Sequence, residues 1–313
     1  MPAHRLNLGL QPTIISVAGH IGSGKSEVCR QLKKLTGWDV ISAGAIMRNA
    51  ALQREMSIVQ INKYAESHAE IDNEVDSYLS SLAQSPAPLI VDARLAWHFL
   101  PSSLKVYLVV EERIAAQRVF DAGRSDEKYP SIQAASESNR ERQRLERARY
   151  LDLYSIDCGS WRNYDLIIDT SQALPEQIAR VVWEQLEQPP VLGASGPRCW
   201  LSPQRLIPTQ ELRQPPRPGG AAGTAVVEIA VYNGSCLIVD GHAGVSEALR
   251  QNLPIIPCRL VAFESEELSP GLSLSTFART ATSLSRIRRW EESHIFRYTS
   301  YPQWLNENGS QNA

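Results

Sequence analysis

Short apolar runs alternate with amphipathic stretches from residue 13 to about residue 187. The β-branched run Thr13–Ala18 predicts a buried strand, and the following Glu27–Leu35 places Val28, Leu32 and Leu35 on one helical face. Further strands are predicted at Asp39–Ser42, Leu89–Asp92, Leu104–Val110 and Tyr164–Ile168, with helical patterns between them. That rhythm predicts an α/β fold with a parallel sheet flanked by helices. Leu174–Leu186, with Pro175 near its start and Ile178, Val181, Val182 and Leu186 at helical spacing, closes this first domain, residues 1–187. A chain of 313 residues exceeds one ordinary core. The Pro/Gly-rich segment 188–198 can neither continue a helix nor join a central strand, so it predicts a linker. Beyond it the texture changes. A second Pro/Gly-rich stretch (Pro215–Gly220) precedes strand-like runs at Val226–Tyr232, Cys236–Val239 and Ile256–Ala262. These predict a smaller α+β domain over residues 199–300, followed by a polar tail at 301–313.

Charge narrows the picture by exclusion. The 32 basic and 34 acidic residues leave a formal charge of −2, so no global field argues for nucleic acid or an anionic membrane as a partner. The five cysteines are scattered, odd in number and free of C-x-x-C spacing. Neither a disulfide framework nor a structural zinc site is expected, and a reducing cytoplasm fits. The first residues carry no apolar signal core, and no stretch approaches a membrane span. The expectation is a soluble, unprocessed, cytoplasmic protein.

Between the first strand and first helix lies Gly19-His20-Ile21-Gly22-Ser23-Gly24-Lys25-Ser26, a complete G-x-x-x-x-G-K-S loop. Gly19, Gly22, Ser23 and Gly24 let backbone N–H groups turn around a triphosphate. Lys25 brings positive charge to the β and γ phosphates, and Ser26 offers a hydroxyl to Mg²⁺. ATP and Mg²⁺ are therefore the expected cofactors.

Moving a phosphoryl group onto a small acceptor needs more cations than one lysine. Arg48 lies one turn inside a helix that starts at Ser42, and Asp92 with Arg94 ends an apolar strand. In residues 136–150 five arginines fall within ten positions. Arg142 and Arg149 share a helical face with Glu146, whereas Arg140, Arg144 and Arg147 share another. The alternatives are a solvated Arg48, a local Asp92–Arg94 ion pair and an exposed helix laced with Arg/Glu pairs. The arginine run sits in the long insertion between the fourth and fifth strands, where a lid would close over phosphates.

Taken together, residues 14–170 resemble the cytidylate kinase-like branch of the nucleoside monophosphate kinases. The resemblance rests on the phosphate loop, Ile41–Gly44 followed by Arg48, Tyr64-Ala65-Glu66 and Glu70–Asp76. It continues through Asp92–Ala96, Glu146–Tyr150 and Tyr164–Ser171. It implies that Arg48 and Arg94, with Ser42 and Asp92 beside them, hold an acceptor monophosphate, and that Arg142, Arg147 and Arg149 serve the lid. Asp72 and Asp76, four apart on a helix, would include an acceptor for the exocyclic amine of cytosine, since a carboxylate complements that donor; a solvated helix face is the alternative. The chain departs from the family at Asp92-Ala93-Arg94, where a Gly usually stands between the acid and the arginine.

Downstream, Leu237–Asp240, Gly241-His242 and a helix through Leu249, followed by Asn252–Val261 and preceded by Trp200–Glu211, resemble the ParB-like fold. The arginines usual after the histidine are replaced by Ala243 and Gly244. Glu211, Asp240, Gly241 and His242 are the candidate metal, phosphate or acid/base residues there, with His242 capping a turn as the competing view.

The reading reached is phosphoryl transfer from ATP to a nucleoside monophosphate, CMP or a related pyrimidine nucleotide. The rivals are a serine-type kinase activity in the second domain and a nucleotide-sensing, DNA-associated regulator.

Overall fold

A computed structural model describes residues 13–56, 60–61, 64, 69–123, 129–187, 196–211, 226–302 and 304–307. Most of the expected linker (188–195), the stretch Pro215–Gly220, the residues Ala65-Glu66, the end of the tail and the side chain of Asp72 lie outside the described residues. The protein is α/β, and its contacts divide it into two compact units. Among the described residues the first comprises those within 13–110, 114–166 and 174–187, and the second those within 111–113, 167–173 and 196–307.

In the first unit β1 (Ile14–Gly19) is buried along its whole length. It runs parallel between β3 (Leu89–Asp92) and β4 (Leu104–Val109), and β2 (Asp39–Ser42) pairs in parallel with β3 at the edge. A strand covered on both faces has no reason to alternate, which is why Ile14, Ile15 and Val17 stand so close together. Helix α1 (Lys25–Thr36) buries Val28, Cys29, Gln31 and Leu32, packing against α7 (Pro175–Glu187). Leu35, expected on that buried face, is 49% exposed, because the covered face runs out before the last turn.

Helix α2 (Ala43–Gln53) follows β2 directly, and α3 (Ala69–Ser81) packs against it. Val75 and Leu79 of α3 meet Ile41, Ala43, Ile46 and Ala93 in one apolar cluster. Helices α4 (Ala96–Phe99), α5 (Glu112–Ala122) and α6 (Ile132–Tyr154) follow, all within this unit except the first two residues of α5. The arginine-rich segment is thus one 23-residue helix, capped at its start by Ser131 and closed by Ser155 in the left-handed region.

Strand β5 (Leu166–Asp169) starts two residues later than expected, and its last three residues cluster with the second unit. That unit also holds β6 (Arg198–Leu201), β7 (Leu206–Ile207), β8 (Val227–Tyr232), β9 (Ser235–Asp240), α8 (His242–Arg250) and β10 (Ile256–Phe263). β10 pairs antiparallel with β6 and parallel with β8, and β9 pairs antiparallel with β8 and parallel with β7. A small β11–β12 hairpin (Glu267–Ser269, Leu272–Ser273) and helices α9 (Leu274–Ala281) and α10 (Leu284–His294) follow. The start of the expected polar tail is instead part of this core. Trp304 is buried against Ile207, Leu237 and Ile287, with its indole N–H donating to Thr282 Oγ1 at 3.2 Å.

Candidate active site

Three glycines shape the phosphate loop, and at the first, Gly19, a Cβ would run into the carbonyl oxygen of Leu108. Gly22 has φ +76°, and a Cβ there would lie 2.6 Å from the carbonyl oxygen of Ala115 on α5. Gly24, the N-cap of α1, has φ +78° with open space beside it, so only its backbone conformation demands glycine. Within the loop Ser23 N–H donates to His20 O, while Glu27 and Val28 N–H both donate to Gly24 O. The first-turn N–H groups of α1 at Lys25 and Ser26 precede any intrahelical partner, a natural place for phosphate oxygens. Arg118 on α5 donates from Nη1 to Gly22 O at 3.4 Å, tying that helix to the loop.

Lys25 and Ser26 converge on Asp92. Ser26 Oγ donates to Asp92 Oδ2 at 2.9 Å, and Lys25 Nζ lies 3.4 Å from Asp92 Oδ1. The parallel register that sets Val17 opposite Asp92 brings them together. Asp92 is nearly buried, a position a carboxylate tolerates because a cation and a hydroxyl meet both of its oxygens. The side chains of Cys29 and Ser23 lie nearby in sequence and are also buried; burial beside Asp92 pushes the Cys29 thiol well up, leaving it inert.

Two residues further, Arg94 Nη1 lies 2.5 Å from Glu146 Oε1 of α6. Burial raises the Glu146 carboxyl above its ordinary range, opposed first by Arg94 and then by Lys25 and Arg142. Glu146 therefore feels cations from the β3 end, the phosphate loop and its own helix. Burial likewise raises the Tyr107 and Tyr150 phenols, whose surroundings include Arg94 and Glu146. His20 meets Tyr107 edge to face at 5.5 Å, and Tyr107 stacks on Tyr164 at 4.5 Å, forming an aromatic wall beside these charges.

The remaining candidates are distributed. Ser42 caps α2, accepting from Ala45 N–H at 3.1 Å, and exposed Arg48 follows on that helix. Arg147 is paired with Asp157 at 2.6 Å, while Arg142 acts on Glu146 and Arg149 on Tyr150. Asp76 Oδ2 accepts from the Tyr154 hydroxyl at 2.7 Å. Glu74 on the same helix pairs with Arg54 of α2 at 2.7 Å.

In the second unit each of the four candidates has its own contacts. His242 opens α8 and is buried, its Nε2 accepting from Thr209 N–H at 3.1 Å and Gln210 N–H at 3.2 Å. Burial lowers its pKa to about 4, so the ring stays neutral and holds the 209–210 turn. Exposed Asp240 accepts from Gly241 N–H at 2.7 Å, and exposed Glu211 is ion-paired with Arg289. Gly241, at φ +87°, approaches Val227 closely. Among the described residues no group of three His, Cys, Asp or Glu side chains could hold a metal ion.

The sequence pattern left Glu146, Arg118 and Tyr154 without roles. Glu146 and Tyr154 carried a signal, since each stands on the arginine-rich helix; Arg118 carried none. Among the described residues no helix is long and apolar enough to cross a membrane.

A family model described as an AAA domain matches residues 15–146. The cytidylate kinase of Methanobrevibacter smithii is 33% identical over 174 residues, spanning 56% of this chain and 98% of that protein. That of Pyrococcus abyssi is 38% identical over 170 residues, 54% of this chain and 91% of that protein. A solved shikimate kinase from Acinetobacter baumannii is similar at a TM-score of 0.40 and 17% identity, covering 57% of this chain and 93% of that one. With nearly the full length of two curated relatives matched above 30% identity, this chain belongs to the cytidylate kinase family of phosphotransferases.

Proposed function

We propose that the protein transfers the γ-phosphoryl group of ATP to a nucleoside monophosphate, CMP or a related pyrimidine nucleotide. The observation that carries this reading is the meeting of Lys25, Ser26 and Asp92 at the start of α1. Ser26 Oγ and Asp92 Oδ2 are hard oxygen donors of the kind Mg²⁺ accepts when phosphate oxygens and waters complete its shell. These two residues would hold the ion, which supplies charge neutralisation for the phosphates. Asp92 accordingly moves from the acceptor side to the metal side of the site.

The acceptor's phosphate oxygen attacks the γ-phosphorus in line, with ADP as leaving group. A phosphate nucleophile needs no strong base, so electrostatic clamping is the main task. Lys25 serves the donor phosphates. Arg94, with Arg48 on α2, serves the acceptor phosphate, and Arg142, Arg147 and Arg149 of α6 complete the positive surroundings. The α3 carboxylates Asp72 and Asp76 accept from the amine of the acceptor base. Support comes from the relatives' printed activity and from α3 packing on the elements that carry Ser42 and Ala93.

The second unit belongs to the proposal as a ParB-like module, on the order of β9, the Asp240-Gly241-His242 turn, α8 and β10. No catalytic step is assigned to it, because His242 already serves as a buried acceptor. Product analysis of the full chain with ATP, Mg²⁺ and a panel of CMP, UMP, AMP, GMP and serine tests both parts. The reading expects CDP as the main product; transfer to serine alone contradicts it.

A further inference from the structure

We propose that Tyr154 is a positioning residue for selection of the acceptor base, acting through Asp76. This rests on the proposed role of Asp76 in reading that base. The two residues lie 78 positions apart, on the last turn of α6 and the second turn of α3, and are joined by a 2.7 Å hydrogen bond from the phenol to Asp76 Oδ2. In that bond the phenol is the donor and the Asp76 carboxylate the acceptor. An acceptor-only carboxylate complements the amine of cytosine and repels the carbonyl that uracil carries at that position. Fixing its direction sharpens that discrimination, since a freely turning side chain can rotate away from the wrong base.

The structure holds Tyr154 by more than this hydrogen bond. Its ring lies 6.1 Å from Phe99, 6.5 Å from His98 and 6.1 Å from Tyr150. Ser155 and Ile156 N–H close the helix end onto Leu151 and Tyr150 carbonyls. The hydroxyl is therefore presented from a packed ring on a capped helix, and Tyr154→Phe removes the donor while keeping the packing. Asp76 sits next to Val75, which packs with Ile46 and Ala93. Tyr154 thus links the helix that bears the lid arginines to the helix beside the acceptor elements.

The test compares kcat/KM for CMP and UMP in wild type, Tyr154→Phe, Asp76→Asn and the double variant, with ATP KM and Tm for each. Loss of one hydrogen bond to a charged group should lower the CMP preference of Tyr154→Phe about 3- to 10-fold, through acceptor KM. ATP KM should stay within about 2-fold, because the donor site is built from other residues. Asp76→Asn should lower the preference about 10-fold or more, and the double variant should be no worse, as expected for residues acting as one unit. Full preference in Tyr154→Phe alongside its loss in Asp76→Asn refutes the link and leaves base reading by Asp76 standing. Unchanged preference in Asp76→Asn, or no preference in the wild type, refutes both. A Tyr154→Phe variant with lowered Tm and equal losses for CMP, UMP and ATP marks a packing residue and also overturns the proposal.

Discussion

Ser26 and Asp92, 66 residues apart in sequence, share a 2.9 Å hydrogen bond in which the Ser26 hydroxyl donates to a nearly buried carboxylate. With Lys25 on the other oxygen, the pair forms a ready-made hard-oxygen edge beside the phosphate loop. Asp92→Asn should lower kcat about 100-fold or more and raise the Mg²⁺ concentration needed for half-maximal rate, because charge neutralisation dominates phosphoryl transfer. Rate measured against Mg²⁺ concentration checks this; an unchanged Mg²⁺ dependence returns Asp92 to the acceptor side.

Arg94 offers a planar fork, one arm of which is engaged by Glu146. Arg94→Ala should raise acceptor KM and lower kcat, together about 10- to 100-fold in kcat/KM, with ATP KM little changed. Arg94→Lys should recover only part, since a point charge cannot reproduce bidentate contact. Arg48→Ala should shift acceptor KM in the same direction. Steady-state kinetics with each substrate varied separately would show the opposite pattern if these arginines served ATP.

Gly22 and Gly24 provide a paired test of the loop. Gly24→Ala places a Cβ in open space, so its cost is the left-handed backbone alone, about 1–2 kcal/mol. Gly22→Ala adds collision with the Ala115 carbonyl, a further cost on the order of 1–3 kcal/mol, and should also weaken ATP binding. Urea unfolding and ATP titration of both variants separate the two effects; equal losses would contradict the packing argument.

His242 ties the second unit to pH. Its ordinary pKa near 6.5 falls to about 4 through burial, with Arg286 also opposing the charge and Asp240 favouring it. The unfolded chain then binds more protons than the folded one between these values. Stability from this group is complete above pH 6.5 and is lost as pH falls toward 4, by on the order of 2–3 kcal/mol. His294, also lowered by burial, acts in the same sense. Denaturant midpoints from pH 7.5 to 4.5 should therefore fall less steeply in His242→Asn than in wild type.

Local pattern revealed much of this fold. β2 and β3 occupy the residues their apolar runs predict, and the strand, glycine loop and helix of the phosphate site follow one another without interruption. Asp92 was harder to place. Its partner is chosen by the parallel alignment of β1 and β3, which no local stretch encodes. The Asp76–Tyr154 bond and the Arg94–Glu146 pair are hidden for the same reason, since each joins helices or turns brought together only by tertiary packing. Short strands such as β6 and β7 lack the length that makes a period visible. Trp304, amid polar residues, joins the core because one large ring suffices to anchor a chain end.

The proposed reaction is phosphoryl transfer at the phosphate loop to a pyrimidine nucleoside monophosphate. Initial rates of ADP and CDP formation from ATP, Mg²⁺ and CMP, measured for wild type and for Lys25→Ala of equal Tm, test it most directly. Stoichiometric ADP and CDP from the wild type, with a loss of about 100-fold or more in Lys25→Ala, is the predicted result. No CDP from the wild type, or an equal rate from a folded Lys25→Ala protein, would contradict it.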